Sequence, residues 1–439
     1  MTTDTLNRDI LRLAVPALGA LIAEPLFLIV DSALVGHLGV EPLAGLGIAS
    51  AVLQTIVGLM VFLAYSTTPA VARRFGAGDP SRAVSVGIDG IWLALGIGAV
   101  LALVGYVATP MLVGLFGATP EVAQQAEIYL GISMWGLPAM LVVFAATGLL
   151  RGMQDTVTPL WIAGLGFAAN ALLNWLFIYG FGWGIAGSAI GTVVAQWGMV
   201  AAYAVVVGRL ARRHEASIRP QREGVRGSAR SGGWLFLRTV SLRFALLATV
   251  AVATGLGTVE LAGWQVAFTI FSTAAFALDA LAIAAQALIG KGLGAEDRPL
   301  VRRVLGRTVA WGAWFGVITG AIIGALSGVI GLAFTGDAGI ATLVQPALIV
   351  LAIAQPVCGV VFVLDGVLIG AGDAKYLAIV GVLNLVPFVP ALALVAWLHP
   401  VGAAGLAWLA VAFFGVYMLA RLATLGWRVR GSAWLSVEA

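Results

Sequence analysis

"FLIVDSALVGHLG", from Phe27 to Gly39, places an aspartate inside an apolar run that continues for some thirty residues beyond it. Glu24 lies seven residues upstream of Asp31, nearly two helical turns, so both carboxyls fall on one face of a helix. Acids are rare in such surroundings because an ionised side chain near a bilayer centre costs a few kcal/mol or more. Whether this stretch is a membrane span decides the reading of the whole chain.

The composition settles that question. Of 439 residues, 61% are hydrophobic and 10% are charged, far fewer charges than a soluble domain carries. The 57 glycines suit close helix packing in lipid. Apolar runs commonly exceed the length that a membrane span needs. The fold class is therefore all-α, a polytopic membrane protein. The polar start "MTTDTLNRDILRLAVP" shows no cleavage site after a compact apolar core, so the first run is expected to be retained as a helix. One cysteine, Cys358, excludes an internal disulfide and a cysteine metal cluster. His37, His214 and His399 are far apart in sequence, and no metal or cofactor site is expected.

Twelve spans are predicted, near residues 11–35, 43–71, 85–108, 126–150, 160–181 and 185–209, then 234–256, 261–289, 306–332, 344–369, 376–398 and 402–425. Connections after odd-numbered spans, such as "HLGVEP" and "FTGDAGIATL", lack Lys and Arg, whereas the cations gather in the other connections, such as "ARRFGAGDPSR" and "GKGLGAEDRPLVRRVLGR". The positive-inside rule makes that face cytoplasmic, with both termini inside a cell membrane, in bacteria an inner membrane. The basic balance, pI near 9.5, then reflects topology and contact with lipid headgroups, and no nucleic acid partner is expected. "GKGLGAED" faintly suggests a phosphate loop, but no strand precedes it, so it reads as a turn, and ATP is not expected to drive the protein.

The polar segment 210–233, rich in Arg, Gly and Ser, reads as a cytoplasmic linker between two six-helix lobes, residues 1–209 and 234–439. The lobes repeat. "FGAGDPSRA" at Phe75 pairs with "LGAEDRPLV" at Leu293, "GLLRGMQD" at Gly148 with "GVLIGAGD" at Gly366, "HLGVEPLAG" at His37 with "GLGTVELAG" at Gly255, and "IAGSA" at Ile185 with "AAGLA" at Ala403. Pro138 pairs with Pro356. The offset is 218 residues every time, without a gap. Six spans per repeat keep both copies in one orientation, so the lobes are expected to relate by a pseudo-two-fold along the membrane normal, a plan of many transporters.

Several charges fall at membrane depth. Asp31 and Glu24 belong to span one, Arg243 to span seven, Asp279 to span eight and Asp365 to span ten. Asp31 has Thr249 as its repeat counterpart, so the lobes are chemically unequal. A carboxyl removed from water is harder to ionise, and such a group can take up and release protons as a coupling site must. Pro16 and Pro25 invite a bend near it. Asn170 and Asn174, four apart in span five, share a face and suit relaying hydrogen bonds to a carboxyl or cation. They equally suit helix–helix contact. Arg243, Asp279 and Asp365 are expected to approach one another as a polar network, either a structural lock or a second coupling or substrate site.

Taken together, "EPLFLIVDSALVGHLGVEPLAGLG", "FGAGD", "LLRGMQD", "LDALAIAAQALIGKGLGA" and "VLDGVLIGAGD" resemble the multidrug and toxic compound extrusion (MATE) family, within it the DinF-like clade. The resemblance covers nearly the whole chain. It implies a monomeric antiporter, not an enzyme, with two six-helix bundles around a V-shaped cavity, which exchanges small organic, often cationic, compounds against protons or sodium ions. It places Asp31 at the cation-coupling aspartate of span one and Asn170 in the span-five part of that site. Relatives often carry an aspartate where this chain has Asn174, and the lost negative charge turns the expectation toward protons. Sodium stays open, because Asp31, Asn170 and nearby hydroxyls supply oxygen ligands. An exporter of organic acids such as citrate, a flippase of lipid-linked precursors and a non-transporting membrane scaffold are the alternatives.

Overall fold

A computed structural model describes residues 3–334 and 338–436, leaving out the side chains of residues 3, 4, 24, 333, 334 and 338–341. Part of the connection after span nine thus lies outside the described residues. The described residues contain helices and no strand.

Twelve helices are long and apolar enough to cross a membrane: Thr5–Gly36, Val40–Gly76, Pro80–Gly114, Pro120–Gly152, Val157–Gly180, Gly184–Arg213, Arg222–Leu256, Thr258–Gly294, Arg298–Leu332, Thr342–Gly370, Ala374–Leu398 and Gly402–Arg430. They are numbered as spans one to twelve. The chain is a multi-pass membrane protein. Most spans run longer than the sequence predicts because helix continues past the apolar stretch until a stop signal arrives. Span one runs unbroken through Pro16 and Pro25. Span four narrows to a 3-10 turn at Met134–Gly136, where Pro138 has no N–H for the Met134 carbonyl and Leu137 takes that carbonyl instead.

The quoted glycine–aspartate motifs are the stop signals. After spans two, four, eight and ten, one residue turns left-handed: Gly78 at φ 79°, Gln154 at 67°, Glu296 at 57° and Gly372 at 75°. The next N–H, from Asp79, Asp155, Asp297 or Asp373, reaches back to the carbonyl of Arg74, Leu150, Gly292 or Leu368 and closes the helix. Three of these aspartates then cap the following span, accepting from the N–H of Arg82 at 2.8 Å, of Val157 and Thr158 at 3.0 Å, and of Leu300 at 2.9 Å. Asp373 instead accepts from Arg428 Nε at 2.6 Å.

Packing repeats as the motifs do. A Cβ on Gly148 would stand 2.9 Å from the Ala64 carbonyl oxygen, and one on Gly366 would stand 2.6 Å from that of Ala282. Gly98 lies against Pro138 as Gly316 lies against Pro356. Helices meeting at such range rely on backbone contact that any larger residue would disrupt.

Contacts divide the chain into two compact units: Val15–Gly232, and Gly233 onward together with the segment up to Ala14. Asn7 joins the second unit by accepting from Arg307 Nε at 2.7 Å. The linker reading of 210–233 needs correction. Span six extends to Arg213 and span seven begins at Arg222, leaving only a short non-helical strap. That strap lies along one face of span three. Ser85 Oγ accepts from Ser217 N at 3.2 Å, Trp92 donates to the Ile218 carbonyl at 3.1 Å, and Asp89 accepts from Gln221 N at 2.7 Å. These positions follow helical spacing. Sequence composition could not reveal them, because the strap's own residues bond through their backbone.

Candidate functional site

Asp31 ends in a buried cluster drawn from four spans of the first unit. Its Oδ1 accepts from Asn174 Nδ2 at 2.8 Å and from Ser188 Oγ at 2.7 Å. Its Oδ2 accepts from the Tyr129 hydroxyl at 3.2 Å. Asn174 Nδ2 also reaches Asn170 Oδ1 at 3.0 Å, with Ser188 Oγ at 3.4 Å and Thr192 Oγ1 at 3.5 Å. All six residues are buried.

Local structure explains how they meet. Asn170 and Asn174 stand one turn apart, just before a π-helical stretch, Leu176–Gly180, that ends span five. Such wide turns break the ordinary register and recur near functional sites. Tyr179 in that stretch donates to the Leu34 carbonyl at 2.7 Å, fastening span five to span one three residues past Asp31. Ser188 and Thr192 are one turn apart on span six. Gly191, between them, leaves room for the Asn174 amide oxygen, which a Cβ there would strike. That oxygen, Asn174 Oδ1, is buried with no hydrogen-bond partner.

Every donor to Asp31 is a neutral side chain. Other buried acids are held differently. Asp89 accepts from a backbone N–H, Glu260 accepts from Gly402 N at 2.5 Å, and Asp373 and Asp365 pair with arginines. Backbone donors and guanidiniums cannot become acceptors, whereas hydroxyls and amides can turn. The Asp31 cluster can therefore accommodate both protonation states. No group of three or more His, Cys, Asp and Glu side chains suited to a metal exists among the described residues.

Sequence reasoning missed Tyr129, Ser188 and Thr192. Ser188 was visible as the one polar difference between "IAGSA" and its repeat "AAGLA". Glu24 lies on span one, but its side chain falls outside the described residues.

The second-unit network forms with a different partner. Asp365 pairs with Arg238, not Arg243. Arg238 Nε donates to Oδ1 at 3.1 Å and its terminal nitrogen pairs with Oδ2. Arg421 adds a second guanidinium 3.5 Å from Oδ2. Arg243 is exposed and makes no ion pair among the described residues. Arg243 lies five positions after Arg238, more than one full helical turn, which rotates it well away from the face that meets span ten. Asp279 lies half-buried on span eight and has contacts of its own, and it forms no ion pair with Arg243.

This architecture matches known proteins. The MatE family model covers residues 16–176 and again 235–395, once per repeat. The chain belongs to the MatE family. Similar members include the Arabidopsis thaliana "Protein DETOXIFICATION 44, chloroplastic", 28% identical, covering 97% of this chain and 82% of the relative. The Photobacterium profundum "Multidrug resistance protein NorM" is 27% identical, covering 84% and 83%. The Escherichia coli "DNA damage-inducible protein F" is 27% identical over 66% of this chain and 64% of its own. Among solved structures, the Vibrio cholerae MATE transporter VcmN in its bent form overlays with a TM-score of 0.88 at 22% identity, covering 98% of both chains. Members of this family are transporters, not enzymes, so this MatE chain is a transporter of small molecules.

Proposed function

We propose that the protein is a cation-coupled antiporter that exports organic, often cationic, compounds by alternating access, with the proton as coupling ion. The observation that carries this reading is the setting of Asp31: a buried carboxyl whose three donors are all side chains free to reorient. As a carboxylate it accepts from all three. When it takes a proton it becomes a donor and needs an acceptor. The Ser188 hydroxyl can rotate to become one, and a half-turn of the Asn174 amide presents the oxygen that has no partner. Protonation thereby weakens the pull of span one on spans four, five and six together. That is a local charge change acting on helix packing, as a switch between two states requires.

A sodium ion could use the same oxygens, but with Asn174 amidic the site offers one negative charge. The proton reading is favoured on that ground. We place the protein in a cell membrane with both termini cytoplasmic, from the distribution of its cations.

Reconstituted vesicles with imposed proton or sodium gradients and a panel of dyes, drugs and carboxylates test the coupling. Asp31→Asn should abolish gradient-driven export while the protein still folds. Full retention of proton-driven transport in that variant removes the proposal. Reporter fusions after residues 40 and 118 should read as extracytoplasmic, and a cytoplasmic signal at either overturns the orientation.

A further inference from the structure

We infer that the basic strap between spans six and seven is a docking surface for the headgroup of an anionic phospholipid. Arg212, Arg213, Arg219 and Arg222 are its donors, and Trp92 and Ile218 its contact with the acyl chains. The inference rests on the chain crossing a membrane and not on coupling at Asp31.

The strap is irregular yet held. Residues 214–221 are non-helical. Ser81 Oγ donates to the Glu215 carbonyl at 3.3 Å, and the bonds to Ser85, Trp92 and Asp89 follow along the same helix. Each of these bonds uses the strap's backbone. The Ser217 hydroxyl folds back onto the N–H and carbonyl of Arg219, at 3.2 and 3.3 Å, and shapes the turn that carries that arginine. Joining two helices needs no such fastening. Fixing where side chains stand does, because a site ordered in advance loses less on binding.

Charge decides the kind of partner. Six arginines fall between Arg209 and Arg226, against Glu215 and Glu223. All six are exposed, and none forms an ion pair among the described residues. Cations of the second unit are used otherwise. Arg307 is held by Asn7 and lies over Trp311, and Arg428 is held by Asp373 and lies over Tyr376. The strap's surplus of positive charge is left for a group outside the chain, and a guanidinium forks onto two phosphate oxygens at once.

Height decides which phosphate. Span three carries Asp89 and then no charged residue from Gly90 to Gly114, so the hydrocarbon boundary lies just past Asp89. Trp92 is 45% exposed and Ile218 is 65% exposed. A tryptophan at that height is the residue that ordinarily marks the headgroup layer. An exposed apolar pair beside guanidiniums on one strap matches a molecule that carries acyl chains and a phosphate together. RNA or an acidic peptide would match the charge and leave the apolar pair uncovered. The repeat counterparts of Asp89 and Trp92 are Arg307 and Ala310, so this seat belongs to one unit only.

The test is equilibrium binding of phosphatidylglycerol to the purified full chain in neutral detergent, counted by native mass spectrometry. Phosphatidylcholine, inorganic phosphate and a short RNA are the other arms. Phosphatidylglycerol should bind saturably and about tenfold more tightly than phosphatidylcholine. Arg219→Gln with Arg222→Gln should weaken it about thirtyfold, about fivefold per arginine. Arg298→Gln with Arg302→Gln removes the same charge from exposed positions of the second unit and should leave binding unchanged. Trp92→Phe alters no charge but unties Ile218, and it should cost about fivefold, the worth of one hydrogen bond. Ser85→Ala, which unties Ser217, should act in the same direction. The inference is overturned if the two lipids bind alike, if inorganic phosphate displaces phosphatidylglycerol, or if the RNA binds more tightly. It is overturned equally if both arginine pairs weaken binding to the same extent, or if Trp92→Phe and Ser85→Ala bind as the parent does. No transport is measured, so such a failure leaves coupling at Asp31 standing.

Discussion

The Asp31 cluster and the place it maps to 218 residues later are built on the same helices and contain opposite chemistry. Tyr129, Asn170, Asn174, Ser188 and Thr192 become Ala347, Phe388, Leu392, Leu406 and Ala410, every one buried and apolar. Asp31 itself becomes Thr249, whose hydroxyl turns back to the Ala245 carbonyl of its own helix at 2.8 Å. The reverse holds for the second unit's charged cluster. Its Asp365–Arg421 pair occupies the positions of Thr147 and Tyr203, which share a neutral hydrogen bond of 2.8 Å. The close helix contacts, by contrast, are the same in both units. Where two backbones approach this closely only small residues fit, so these contacts fix the scaffold in both copies. The side chains that fill the remaining space are free to diverge, and each unit has become polar in a different place.

The comparison breaks most sharply if chemistry is moved to the apolar copy. Thr249→Asp puts a carboxyl at the repeat counterpart of Asp31, and the counterparts of the three Asp31 donors, Ala347, Leu392 and Leu406, carry no polar side chain. Burying an unpaired polar group costs several kcal/mol, and we expect the variant to unfold in detergent well below the parent's midpoint or fail to express. A Thr249→Asp protein as stable as the parent would mean the second copy retains a hidden polar lining.

The charged cluster gives the next largest effect. Arg238→Ala leaves Asp365 facing Arg421 alone at 3.5 Å, and breaking a buried pair typically costs about 3–5 kcal/mol. Asp365→Asn should be more damaging than Arg238→Ala, because it leaves two buried guanidiniums without this counter-charge, whereas Arg238→Ala keeps the Asp365–Arg421 pair. Arg243→Ala should leave the unfolding midpoint where it is. If Arg243→Ala proves the more damaging single change, the pairing described above is wrong.

Much of this was legible in the sequence, for physical reasons that differ from part to part. Twelve spans follow from apolar length, and the duplication follows from motifs that turn out to be helix stops and caps, whose backbone geometry tolerates few substitutions. Asp31, Asn170 and Asn174 stood out because polar groups in lipid need partners. Tyr129 did not, since a tyrosine in an apolar span reads equally as packing. Arg238 and Arg421 were hidden by a general rule. Arginines toward the cytoplasmic side of a span are ordinarily flanking charges, and only the facing helices reveal that these two turn inward. The choice of Arg243 over Arg238 rested on depth along the chain, which fixes height in the membrane but not the direction of a side chain.

The smallest effect tests the neutral counterpart of the charged pair. Tyr203 is buried, and its hydroxyl meets Thr147 Oγ1 at 2.8 Å between spans six and four. Tyr203→Phe removes that bond and keeps the ring, so it should lower stability by about 1 kcal/mol, the net worth of one hydrogen bond plus the unmet capacity left on the partner. Thr147 loses less than most buried partners would, because a threonine hydroxyl in a helix can turn to the carbonyl one turn earlier. Tyr203→Phe with Thr147→Val should then cost little more than the worse single change, since both remove the same bond. Guanidinium titration or thermal unfolding in detergent reads the difference. If the neutral pair proved as costly to break as Arg238–Asp365, the charge in the second unit would add nothing to what packing already provides, and stability would no longer separate the two clusters. A small loss here beside a large one there means that the second unit depends on its charges to stay folded, while the first depends on helix contact and holds the buried Asp31 with side-chain donors that can reorient.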